Sequence, residues 1–113
     1  MRILLDECVD ESLRHCFSPH VCQTCRYAGF NGLTNGELID AAEQAGFDVL
    51  ITVDQNMPYQ QRIQNRTVSV IVLRGRTTSI DDLVILMPDV LATLEVLKPG
   101  TVMCIEMRSR CRD

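Results

Sequence analysis

Tryptophan is absent from this chain of 113 residues, and two tyrosines and three phenylalanines make up its whole aromatic content. An extended stacking platform for nucleic-acid bases is therefore excluded. Lysine occurs once, at position 98, against ten arginines. Cationic contacts thus fall to the planar guanidinium, which suits bidentate contact with phosphate or carboxylate. No apolar run approaches the roughly 20 residues that cross a bilayer. The N-terminus enters a strand-like run with no basic n-region, which points to a cytoplasmic protein without a membrane partner. Internal repeats, low-complexity segments and linkers are also missing. The length therefore reads as one domain, 1–107, followed by a basic tail, 108–113.

What is present is an ordinary globular composition, 46% hydrophobic and 23% charged, which argues against global disorder. The net charge of −4 is unevenly spread. Residues 1–57 carry nine acids and three bases, whereas residues 58–113 carry six acids and eight bases. This allows an acidic pocket beside a basic rim. The six cysteines (Cys8, Cys16, Cys22, Cys25, Cys104 and Cys111) do not suggest a disulfide framework in a chain with no export signal. Cys22-x-x-Cys25 has half a zinc site's spacing, but no second CxxC or nearby histidine pair completes it. It also lies in or just after a strand, not at a helix start as a thioredoxin-like motif requires.

The pattern alternates between strands and helices. RILL (2–5) is a short buried strand. Val9, Leu13, Cys16 and Phe17 follow a helical spacing that SPH ends. Residues 20–25 form a weaker strand, and AGFNG is a loop. Thr34 and Glu37 form a capping box for a helix with Leu38, Ala41, Ala42 and Ala45 on its apolar face, closed by Gly46. Residues 48–53 are a clear strand, QNMPYQQRIQNR holds one or two helical turns, and TVSVIVLR is another strand. A long helix opens near Ser79 and presents Leu83, Leu86 or Met87, Val90, Leu91, Leu94 and Leu97, with Pro88 predicted to kink or split it. TVMCIEM is the last strand. Alternation of this kind, with near-continuous apolar strands, predicts a three-layer α/β/α sandwich around a mostly parallel sheet of about five strands.

Two of these strands stop on acids, at Asp6 and at Asp54. Ligands of open α/β sheets bind outside the carboxyl ends of the strands, at the switch in strand order. Glu37, in the first turn of a helix reached from that edge, is the third candidate; Glu7 and Asp40 are secondary. Carboxylates gathered together raise each other's pKa, and Mg²⁺ or Mn²⁺ relieves that repulsion. Such an ion activates water and stabilises charge on a phosphate. Each acid also has a purely structural role open to it: Asp6 and Asp54 as caps, and Glu37 as the capping-box partner.

Taken in order, "MRILLDE", "NGELIDAAEQAGFDVLITVDQN" and "VIVLRGR…LKPG" resemble the small PIN-like proteins. These are compact relatives of the PIN nucleases, often assigned as toxins of bacterial toxin–antitoxin pairs. The resemblance runs from about Met1 to Met107. It implies a metal-dependent endoribonuclease that cleaves single-stranded RNA, with Asp6, Glu37 and Asp54 as catalytic acids holding Mg²⁺ or Mn²⁺, and an antitoxin protein as partner. Asn35 and Asn56 stand where many relatives have acids, and a neutral amide carbonyl holds a cation less tightly. Arg74, at the end of its strand, is expected to reach a substrate phosphate. Arg62, Arg66 and Arg76 are expected at the rim, and Tyr59 against a base.

Two other readings compete. One is a PIN-like binding module without catalysis. The other is a response-regulator receiver domain phosphorylated on Asp54, which the "DVLITVDQNMP" strand resembles; Lys98, Arg74-Gly75 and the short tail depart from that pattern. The leucine-rich helix from Asp82 to Leu97 could also serve a homodimer, although core packing is its expected use.

Overall fold

The computed structural model describes residues 1–57, 63 and 65–106. Its centre is a five-stranded, all-parallel sheet: β1 (Arg2–Leu5), β2 (Val21–Thr24), β3 (Val49–Thr52), β4 (Ser69–Arg74) and β5 (Val102–Glu106), in the order β2-β1-β3-β4-β5. The chain steps to one side of β1 to make β2 and returns to the other side to make β3. The switch in strand order therefore lies between β1 and β3, where Ile3, Leu4 and Leu5 pair with Val49, Leu50 and Ile51.

Because alternate side chains leave a strand on opposite faces, the fully apolar strands feed two separate cores. Ile3, Leu5, Val49, Ile51, Ile71 and Leu73 enter one, while Leu4, Leu50, Val70 and Val72 enter the other. The first core is covered by a 3₁₀ helix (Glu11–Phe17) and by α3 (Ile80–Val84) and α4 (Met87–Leu94). The second is covered by α1 (Cys25–Ala28) and α2 (Asn35–Gln44), with Phe47, Met57 and Ile63. Each fully buried Leu or Ile contributes roughly 1.5–3 kcal/mol.

Local sequence explains most boundaries. The capping box of α2 is present, with Thr34 and Glu37 each accepting the other's backbone N–H. Gly46, at φ +83°, lets the chain turn out of the helix, and the Phe47 N–H returns to the Ala42 carbonyl. Pro88 splits the expected long helix: α3 ends at Val84, and Pro88 lies in the first turn of α4, where its missing N–H costs nothing. Leu83, Leu86, Met87, Val90 and Leu94 all join the core, so the leucine-rich face is spent on packing. The segment after β1 is a 3₁₀ helix capped by Asp10, and α1 is a single turn that periodicity did not anticipate. No helix among the described residues is long and apolar enough to cross a membrane.

Candidate functional site

Asp6 and Asp54 follow β1 and β3, the two strands that flank the switch in strand order. The ladder continues one residue past β1, because the Asp6 N–H donates to the Ile51 carbonyl at 2.9 Å. This sets Asp6 beside Thr52. By the same alternation that sends Leu4 and Leu50 to the α2 side, Asp6, Thr52 and Asp54 face that side too.

Thr52 joins the two acids. Its fully buried hydroxyl donates to Asp6 Oδ2 at 2.8 Å and accepts the Asp54 N–H at 3.0 Å. Asp6 further accepts the Glu7 N–H at 2.8 Å and the Cys8 thiol at 3.3 Å. Asp54 accepts the Asn56 N–H at 2.9 Å and the Asn35 side-chain amide at 3.4 Å. Every one of these donors is neutral. Elsewhere carboxylates meet arginine: Asp40 and Glu43 pair with Arg66 at 2.8 and 3.1 Å, and Glu106 pairs with Arg74 at 3.4 Å. The two strand-end acids thus have no ion-pair partner among the described residues.

The other expected site residues go to different tasks. Glu37 Oε1 accepts the Thr34 N–H at 2.9 Å, so it closes the capping box of α2. Glu7 Oε1 accepts the Gly32 N–H at 2.7 Å and ties the loop before α2 to β1. Asp40 is occupied by Arg66. Arg66 is not a rim residue of this site: it precedes β4, at the amino edge of the sheet, and clamps α2 there. Arg74 ends β4 on the same edge as the acids but pairs with Glu106 of neighbouring β5, both half exposed. Arg76 is exposed beyond that strand. Tyr59 and Arg62 lie outside the described residues.

Among the described residues no three of His, Cys, Asp and Glu form a group that could hold a metal ion. Asp6, Glu37 and Asp54 therefore do not make the three-carboxylate set expected from the sequence. Two acids remain as a pair. An ionised carboxylate offers about four lone-pair positions; among the described residues Asp6 uses three of them and Asp54 two. Mg²⁺ is commonly held by one or two carboxylates, the remaining positions going to water and substrate phosphate. Two carboxylates are the number that such an ion commonly takes from a protein, and too few for a closed cage.

The described cysteines complete no metal-ligand group. Burial pushes the Cys22 and Cys25 thiols up to about 12, far from the thiolate that metal binding and nucleophilic attack require. Cys8 is raised as well, first by burial. The Thr52 hydroxyl is the site residue that sequence reasoning passed over. In "ITVD" it reads as one more β-branched strand residue, and only its place two residues before Asp54 hinted at more.

No protein-family model, no curated protein and no solved structure matches this chain.

Proposed function

We propose that this is a PIN-like, Mg²⁺- or Mn²⁺-dependent endoribonuclease acting on single-stranded RNA, with Asp6 and Asp54 as its catalytic acids. The observation that carries the reading is the pair itself: two ionisable carboxylates at the switch in strand order, bridged by Thr52 and, among the described residues, supplied only with neutral donors. Asp6 and Asp54 would hold a divalent ion there, which would supply an activated water and offset charge on the scissile phosphate. Thr52 fixes Asp6 by donation. Asn35 holds Asp54 from α2 and stands in for a third acid at the cost of one negative charge. Antitoxin control of such an activity belongs to the same proposal.

The receiver alternative is disfavoured by position. The strand order β2-β1-β3-β4-β5 also suits a receiver. A receiver needs a lysine beside its phosphorylated acid. Lys98 instead precedes β5, and its carbonyl accepts the Ser69 hydroxyl at the start of β4. In a parallel sheet this is the edge opposite Asp54.

The test is Mn²⁺-dependent cleavage of a mixed-sequence single-stranded RNA pool. Wild type is compared with Asp6→Asn/Asp54→Asn purified in parallel. The double variant is expected to lose activity by a factor on the order of 10² to 10³ while keeping its melting cooperativity. Equal cleavage by both proteins, or none by either at high enzyme, overturns the nuclease reading.

A further inference from the structure

Beside Asp6 the surface opens into two adjoining hollows. The smaller, about 300 Å³, is lined by Asp6, Glu7, Thr24, Cys25, Arg26 and Asn31 among others. The larger, about 580 Å³, runs along the outer side of β2 between Arg14, Arg26 and Tyr27. Glu11, Thr24 and Arg26 line both, so the two form one groove that starts at the Asp6 carboxylate and follows the sheet edge.

The groove carries both signs of charge, with Asp6, Glu7 and Glu11 at its Asp6 end and Arg14 and Arg26 along it. Residues 1–57 hold only three bases among nine acids. Two of the three, Arg14 and Arg26, stand in this groove, both exposed. Neither pairs with a carboxylate among the described residues, whereas Arg66 and Arg74 both do. The third base, Arg2, is folded over the Phe47 ring at 4.5 Å, at the amino edge. Tyr27 sits in the single turn of α1, 79% exposed, with its N–H held by the Thr24 hydroxyl at 3.1 Å. Its backbone N–H is held while its side chain is left largely to solvent.

We infer that this groove is the substrate track of the nuclease site: it binds single-stranded RNA, with Arg14 and Arg26 on successive phosphates and Tyr27 stacked on an unpaired base. The inference rests on the nuclease reading of Asp6 and Asp54 and adds the direction from which the strand arrives. A guanidinium matches phosphate oxygens in a bidentate fork, and an exposed ring on a fixed backbone gives one base a face to stack on. Duplex RNA hides its base faces, so the track discriminates against it.

The experiment is fluorescence anisotropy with a labelled 12-nucleotide mixed-sequence RNA in EDTA, so that no cleavage intervenes. Tyr27→Ala is expected to weaken binding by about tenfold, whereas Tyr27→Phe keeps it. Arg14→Ala/Arg26→Ala is expected to lower the slope of log affinity against log salt by about 1.4. Lys98→Ala, at the far edge, changes neither. Failure of wild type to bind, equal binding by all variants, equal binding of duplex, or equal competition by polyglutamate each overturns the track. Cleavage run in Mn²⁺ separates the two proposals. Loss of cleavage in Asp6→Asn/Asp54→Asn with binding unmoved by the Tyr27 and arginine changes sinks the track alone. Groove-dependent binding with cleavage unaltered in the acid variant sinks the nuclease alone.

Discussion

Two buried hydroxyls, one at each end of the sheet, show how differently the two edges are used. Ser69 begins β4 at the amino edge, and its Oγ donates to the Lys98 carbonyl at 2.6 Å and accepts the Thr101 N–H at 3.1 Å. Both partners are backbone, and the bridge only fastens the turn into β5. Thr52 ends β3 at the carboxyl edge and makes a bridge of similar form, but its donor goes to a carboxylate that no arginine among the described residues neutralises. At the amino edge Arg66 is claimed by Asp40 and Glu43, and Arg2 lies over Phe47. At the carboxyl edge, Asp6 and Asp54 have only neutral donors among the described residues. A fold seeking only stability gains little from that arrangement, since a buried hydroxyl and two acids could be replaced by apolar side chains.

The comparison breaks most visibly by deleting the hydroxyls. Thr52→Val and Ser69→Ala each leave backbone or carboxylate groups short of a partner, at about 1–3 kcal/mol by urea denaturation. Only Thr52→Val is also expected to reduce RNA cleavage, by roughly tenfold or more, because Asp6 loses its fixing donor. Equal cleavage by the two variants would make the two edges equivalent.

A smaller effect sharpens the amino edge. The backbone N–H of Thr67 holds the Glu43 carboxyl below its ordinary value, helped by the Thr67 hydroxyl and by Arg66. A carboxyl depressed in the folded state adds stability above its unfolded value of about 4.5, and this is lost as pH falls through the folded value. Wild type should therefore exceed Glu43→Gln in stability at neutral pH, and the gap should shrink on acidification below that point. A gap that persists at low pH would contradict the assignment. The smallest effect is expected at Glu37. Glutamine also serves a capping box, so Glu37→Gln should move stability by less than about 0.5 kcal/mol and leave cleavage intact. Lost cleavage with an unchanged melt would return Glu37 to the site.

Much of this was legible in advance, for physical reasons that differ by element. The apolar strands, the capping box at Thr34 and the break near Pro88 are local signals, and local signals survive folding. The pairing of Asp6 with Asp54 followed from the rule that α/β sheets bind at their carboxyl ends. What was missed depends on direction and on neighbours. Arg66 comes before its strand, which in a parallel sheet puts it at the amino edge, away from the acids; the rim expectation overlooked that order. A four-residue turn such as α1 has no period to detect, which hid Arg26 and Tyr27 as groove residues. A threonine in a buried strand looks the same whether its hydroxyl is idle or bridges two acids.

The single lysine, described above only for its carbonyl, gives the molecule a handle. Lys98 is exposed and stands at the amino edge. Lysine-directed coupling to a surface or a bead will therefore anchor the chain by the side remote from Asp6, Asp54 and the groove. Every molecule attached through that side chain presents its carboxyl edge outward, in one orientation, to whatever flows past.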